Sequence, residues 1–117
     1  MGINAANQVI NKAEITRAMC AGLELGTETI IAAGALSVTI PVSFLHTAGA
    51  IAVTLANSVE GQFKIIIMSY DGGTATLTPT SFANGTTITF DDVYDLWLGV
   101  FHAGSWYTVG TPTATVA

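Results

Sequence analysis

Charge is what this chain has least of. Only Lys12, Arg17 and Lys64 are basic against eight acidic residues, so 9% of the 117 residues are charged and the net charge is −5. Ordinary soluble domains carry about 25% charged residues. The lack of a basic patch argues against sequence-independent binding to nucleic-acid phosphates and against attraction to anionic lipid. A single cysteine, Cys20, excludes an intrachain disulfide and every cysteine-cluster metal site. No run reaches 18 consecutive apolar residues, so no stretch reads as a membrane-spanning helix. The first residues lack the basic start and apolar core of a secretory signal. No repeat of fixed period is visible, which argues against a solenoid.

What is there is greasy and β-branched. Half of the residues are hydrophobic, and 17 are threonine. Branched side chains fit a pleated sheet better than a helix, so the composition reads as β-rich. The length fits one domain, which at this size buries roughly two-thirds of the surface its unfolded chain exposes. Too few ionised groups remain to coat a monomer, and a large self-association surface follows.

The organising stretch is Gly61 to Thr80, GQFKIIIMSYDGGTATLTPT. It predicts a long apolar strand, a tight turn at Asp71-Gly72-Gly73 and a returning strand, because glycine supplies the positive φ that two-residue hairpins need. The incoming strand is apolar on both faces and must be covered on both. Val93–Phe101 has the same character, and His102-Ala103-Gly104-Ser105 turns it back into Trp106–Val109. Leu36, Val38 and Ile40 alternate with polar residues and predict a half-buried strand, and Ile51, Val53 and Leu55 predict another. Pro41 belongs at a bend, bulge or edge.

Residues 1–20 read as a short helix or an extended arm, within an N-terminal segment 1–28. Residues 29–110 form the β body, and 111–117 a loosely ordered tail. Eight or nine short strands with turns every 8 to 12 residues predict an all-β fold. Its form would be an antiparallel sandwich, jelly roll or small barrel.

No constellation carries obvious chemistry. Asp91, Asp92 and Asp95 fail the calcium-loop spacing and read as a solvated turn. His46 and His102 are the only general-base candidates, and neither has a nucleophile motif beside it. No catalytic residue, metal or cofactor is therefore expected. The apolar strands supply core or oligomer-interface residues: Phe63, Ile65, Ile66, Ile67, Met68, Leu96, Trp97, Leu98 and Phe101. Trp106 and Tyr107 are a candidate stacking platform for a sugar, since aromatic faces suit flat apolar ligands.

The ordered set Thr54-Leu55-Ala56, Glu60-Gly61-Gln62-Phe63-Lys64-Ile65, Asp71-Gly72-Gly73-Thr74-Ala75, Leu77-Thr78-Pro79, Gly85-Thr86-Thr87-Ile88-Thr89-Phe90 and Trp106-Tyr107 resembles a recurrent module of small tailed-phage virion proteins. The likeness spans roughly Val53 to Gly110. Where that module has a Gly-Asp turn and a polar-alternating strand, this chain has the more apolar Tyr94-Asp95-Leu96-Trp97. The resemblance implies a capsid decoration (cement) protein, a homotrimer on the virion surface that binds the major capsid protein. Residues 1–28 would then be the capsid-contacting segment, with Asn7, Val9, Ile10, Lys12 and Arg17 as its candidate contacts. The alternative it implies is a fibre or head-fibre module recognising a host glycan through Trp106 and Tyr107.

Overall fold

A computed structural model describes residues 23–117; the expected helix or arm, with Asn7, Val9, Ile10, Lys12 and Arg17, lies outside them. Ten strands follow one another: β1 Thr27–Ile30, β2 Gly34–Ala35, β3 Val42–Thr47, β4 Ile51–Leu55, β5 Phe63–Asp71, β6 Ala75–Pro79, β7 Ile88–Phe90, β8 Leu96–His102, β9 Ser105–Thr108 and β10 Thr115–Val116. No helix occurs among the described residues, as the β-branched composition predicts.

The strands form two five-stranded sheets, ordered β1-β3-β5-β8-β9 and β10-β7-β6-β4-β2. One core fills the space between them. It holds Leu45, Ile66, Met68, Trp97, Phe101 and Trp106 from the first sheet, and Val53, Leu55, Leu77, Ile88 and Phe90 from the second.

Through β6 the chain alternates between the sheets, so that β1, β3 and β5 pair in parallel in one and β2, β4 and β6 in the other. It winds as a flattened coil of three turns. Only afterwards does it reverse: β7, β8, β9 and β10 all pair antiparallel. The antiparallel expectation is therefore corrected to two mixed sheets. Inward-outward alternation has the same period in either kind of pairing, so the residue pattern is blind to strand direction. The coil stops short of a solenoid, because only the first six strands wind and the rest pair antiparallel. Successive turns are unequal, 15 residues from Thr27 to its partner Val42 and 23 from Val42 to its partner Ile65, in keeping with a sequence that has no fixed period.

The Asp71-Gly72-Gly73 turn is likewise not a hairpin, because β5 and β6 belong to different sheets. It is a corner, stacked on the preceding corner at Thr47–Ala50. Neither glycine has positive φ. Both are needed for close approach: a Cβ on Gly72 would stand 2.2 Å from the Thr47 carbonyl oxygen, and one on Gly73 2.3 Å from the Gly49 carbonyl carbon. The buried Thr47 hydroxyl clamps the two corners. It donates to the Gly73 carbonyl at 2.6 Å and accepts from the Gly72 amide at 3.1 Å.

Three other expectations can be compared directly. Leu36–Ile40 does not continue as a strand; the Ser37 hydroxyl accepts the Thr39 and Ile40 amides and folds the segment into a bend running into Pro41. The tail does not fray, since β10 joins β7 and the Thr113 amide donates to the Leu96 carbonyl. The predicted turn between β8 and β9 does form, with Ala103 and Gly104 at φ of 50° and 85°, as a two-residue hairpin demands.

Candidate functional site

Side chains alternate across a strand, so each apolar strand presents two different surfaces. On β5, Ile66 and Met68 point into the core with Lys64, and Phe63, Ile65 and Ile67 point outward. On β8, Trp97 and Phe101 are core, whereas Leu96 and Leu98 face outward with Val100. The residues expected as core or interface thus divide cleanly between the two.

The outward set is continuous. Register places Phe44 beside Ile67 and Ile67 beside Leu96; Val42 lies beside Ile65 and Ile65 beside Leu98; Phe63 lies beside Val100 and Val100 beside Tyr107. This gives an apolar face four strands wide, exposed at Phe63, Leu96 and Tyr107 (36%, 39% and 38%), half-buried at Phe44, Ile65, Ile67, Leu98 and Val100, and closed off at Val42 (8%). Neighbouring strands lie about 4.8 Å apart and rise about 3.3 Å per residue, so the face spans on the order of 20 Å each way. No other described strand lies over it.

The second sheet has an outer face of another kind. Ala52, Thr54, Thr76, Thr78, Thr89 and Thr115 lie opposite the buried positions of their strands. Threonine suits a sheet surface left in water, and isoleucine, leucine and phenylalanine do not. The two faces therefore differ in purpose.

The rim of the apolar face is acidic. Asp71 closes β5 at one end, and Asp91 and Asp92 precede β8; Glu60 stands at the other end of β5, with His102 against its carboxylate. The His102 contact and the Ala103 amide hold the Glu60 carboxyl below its ordinary value. Among the described residues no exposed Lys or Arg answers these acids. The one cation there, Lys64, is wholly buried. Its ammonium donates to the Ser37 and Ile40 carbonyls at 2.6 and 2.7 Å and to Glu28 Oε2 at 3.2 Å. The same oxygen accepts the Ser43 hydroxyl at 2.6 Å and the Ser37 amide at 2.9 Å. Burial pushes Lys64 below the usual ammonium range, with Glu28 opposing. Burial also pushes Glu28 upward, but the Ser43, Ser37 and Lys64 hydrogen bonds outweigh it and hold the carboxyl low. Lys64 ties β1, β5 and the 37–40 bend together. Sequence reasoning missed it: Lys64 is in phase with Ile66 and Met68, but the opposite phase is equally apolar and gives no signal of which side is internal.

The remaining candidates sit apart. The carboxylates of Asp91, Asp92 and Asp95 converge within 4.8 Å. Asp95 Oδ2 accepts the Asp91 and Asp92 amides and so builds the turn itself, and its hydrogen bond raises the Asp91 carboxyl. His46 stacks on Tyr70 with centroids 4.6 Å apart, and both are exposed. No serine or cysteine hydrogen-bonds to either histidine among the described residues. Trp106 is fully buried, with its indole donating to the Ala56 carbonyl at 2.9 Å. Only Tyr107 of the expected stacking pair reaches solvent.

No protein-family model matches the chain, and no curated protein is significantly similar to it.

Proposed function

We propose that the protein is a structural component of a phage virion, a capsid decoration protein that assembles as a homotrimer and stabilises the shell by bridging major capsid subunits. The observation that carries this reading is the uncovered apolar outer face of the β1-β3-β5-β8-β9 sheet, set beside a threonine-covered face on the other sheet. A surface of this size and polarity suits burial against protein, and sister subunits are its simplest cover. The fold class and the likeness of Val53–Gly110 to tailed-phage virion modules give the assembly its biological setting.

Shell stabilisation would follow from mass action. A ligand that binds only the assembled lattice lowers its free energy relative to free subunits. Three footprints on one trimer then act together through high effective concentration. Residues 1–28 are the proposed capsid-contacting segment, since two of the three basic residues, Lys12 and Arg17, lie there.

Co-sedimentation of the purified chain with assembled shells of the phage that encodes it tests the proposal. Saturable binding with a raised shell-melting temperature is expected, and shells that pellet without the protein refute it. The glycan reading loses one of its two rings to the core, and saturable sugar binding would have to come through Tyr107 alone.

A further inference from the structure

The two ends of the first sheet are finished differently. At the β9 end, the Trp106 amide donates to the Ser81 carbonyl and the Ala83 amide to the Trp106 carbonyl, both at 2.9 Å, so the edge is covered. At the β1 end no described strand lies beyond β1. The bond from the Val42 amide to the Gly26 carbonyl fixes the phase of the parallel ladder. In that phase Glu28 and Ile30 face β3, and the N–H and C=O groups of Thr27 and Thr29 point away from it. The edge lacks a lysine, a proline and a bulge; its only guards are its four-residue length and the inward-pointing Glu28, whose charge Lys64 already meets. Leu23 and Ile31 flank it at 78% and 69% exposure.

Charge selects among the strands that could dock there. All three hydrogen bonds to Glu28 use Oε2, and Oε1 accepts none from the described residues. A second copy would bring another acidic edge with no exposed lysine or arginine to offer among its described residues. We propose that β1 is a strand-addition site for an extended segment of a different protein, one that places a lysine or arginine beside Glu28. Main-chain bonds to Thr27 and Thr29 would hold the segment, and the cation reaching Glu28 Oε1 would set its register. The site needs only a basic extended partner, whether or not that partner belongs to a virion shell.

The test uses the full chain and the capped peptide Thr-Val-Thr-Lys-Thr-Val-Thr, with a copy carrying Glu in place of Lys. Calorimetry should show saturable one-to-one binding, at least about tenfold weaker for the Glu peptide. Residue-resolved amide exchange should slow at Thr27 and Thr29 on binding, with Glu28 and Ile30 already slow beforehand. Thr29→Pro removes an outward donor and leaves the β3 ladder intact, so it should abolish binding with the Glu28 and Ile30 amides still protected. Should that variant unfold, the comparison of the two peptides decides alone. Equal affinity for both peptides, or for neither, overturns the proposal. So does slow exchange at Thr27 and Thr29 in the protein by itself, which would mean that this chain's own residues or a second copy already occupy the edge.

Discussion

Lys64 shows how much can rest on one side chain. It is a buried cation with three oxygen partners and a single carboxylate to balance it, Glu28. Breaking such a pair by removing one member strands the other charge, at a cost of about 3–5 kcal/mol. Lys64→Ala should lose that much in a urea or guanidinium titration, and Lys64→Ala combined with Glu28→Gln should lose less than the sum of the two single changes. The pH dependence follows from the lowered Glu28 carboxyl. Its stabilisation is complete above the unfolded-state pKa and drains as pH falls through the lower folded-state value. Acid titration of the wild type should therefore show a loss of stability that Glu28→Gln lacks. Lys64 was not legible as an inward residue, because the strand is apolar on both faces and its phase therefore names no inner side. Glu28 was not legible as its partner, because 36 residues separate them and only the winding of the chain brings them together.

At the scale of elements, strands were easier to read than their connections. The alternation in Ile51–Leu55 and the apolar runs in β5 and β8 marked those strands, and Ala103-Gly104 marked a true hairpin. Asp71-Gly72-Gly73 looked equally like a hairpin and is a corner between sheets. A glycine pair can serve positive φ or close approach, and residue type alone does not distinguish them. The distinction has a consequence. In a hairpin of positive φ, asparagine in place of the first glycine is tolerated; here any Cβ meets the Thr47–Ala50 backbone. Gly73→Ala should lower the unfolding free energy by at least about 1–3 kcal/mol, the usual penalty for overpacking. Gly72→Asn should fare no better, with chemical denaturation as the readout in both cases.

For the whole molecule, composition announced an excess of apolar surface, and only the structure assigns it to a face. The sequence offered Ile65, Ile66 and Ile67 as one greasy run; the fold sends Ile66 inward and its two neighbours outward. Ile66→Asp should place an unpaired charge in the core and abolish the near-ultraviolet dichroism of the buried tryptophans. Ile65→Glu should preserve that signal and reduce the mass found by light scattering to that of one chain. An unchanged mass for Ile65→Glu would remove the outer face from the assembly.

The winding also decides how such a protein can change size. Each circuit from one sheet to the other and back adds one strand to both layers, so an inserted circuit would lengthen the body by about 4.8 Å and leave its cross-section alone. The hairpin-built end and the open end would each keep their chemistry, and only the separation between them would grow. Unequal circuits of 15 and 23 residues already coexist in this chain, so the spacing between its two ends is a quantity that insertion or deletion can adjust in steps.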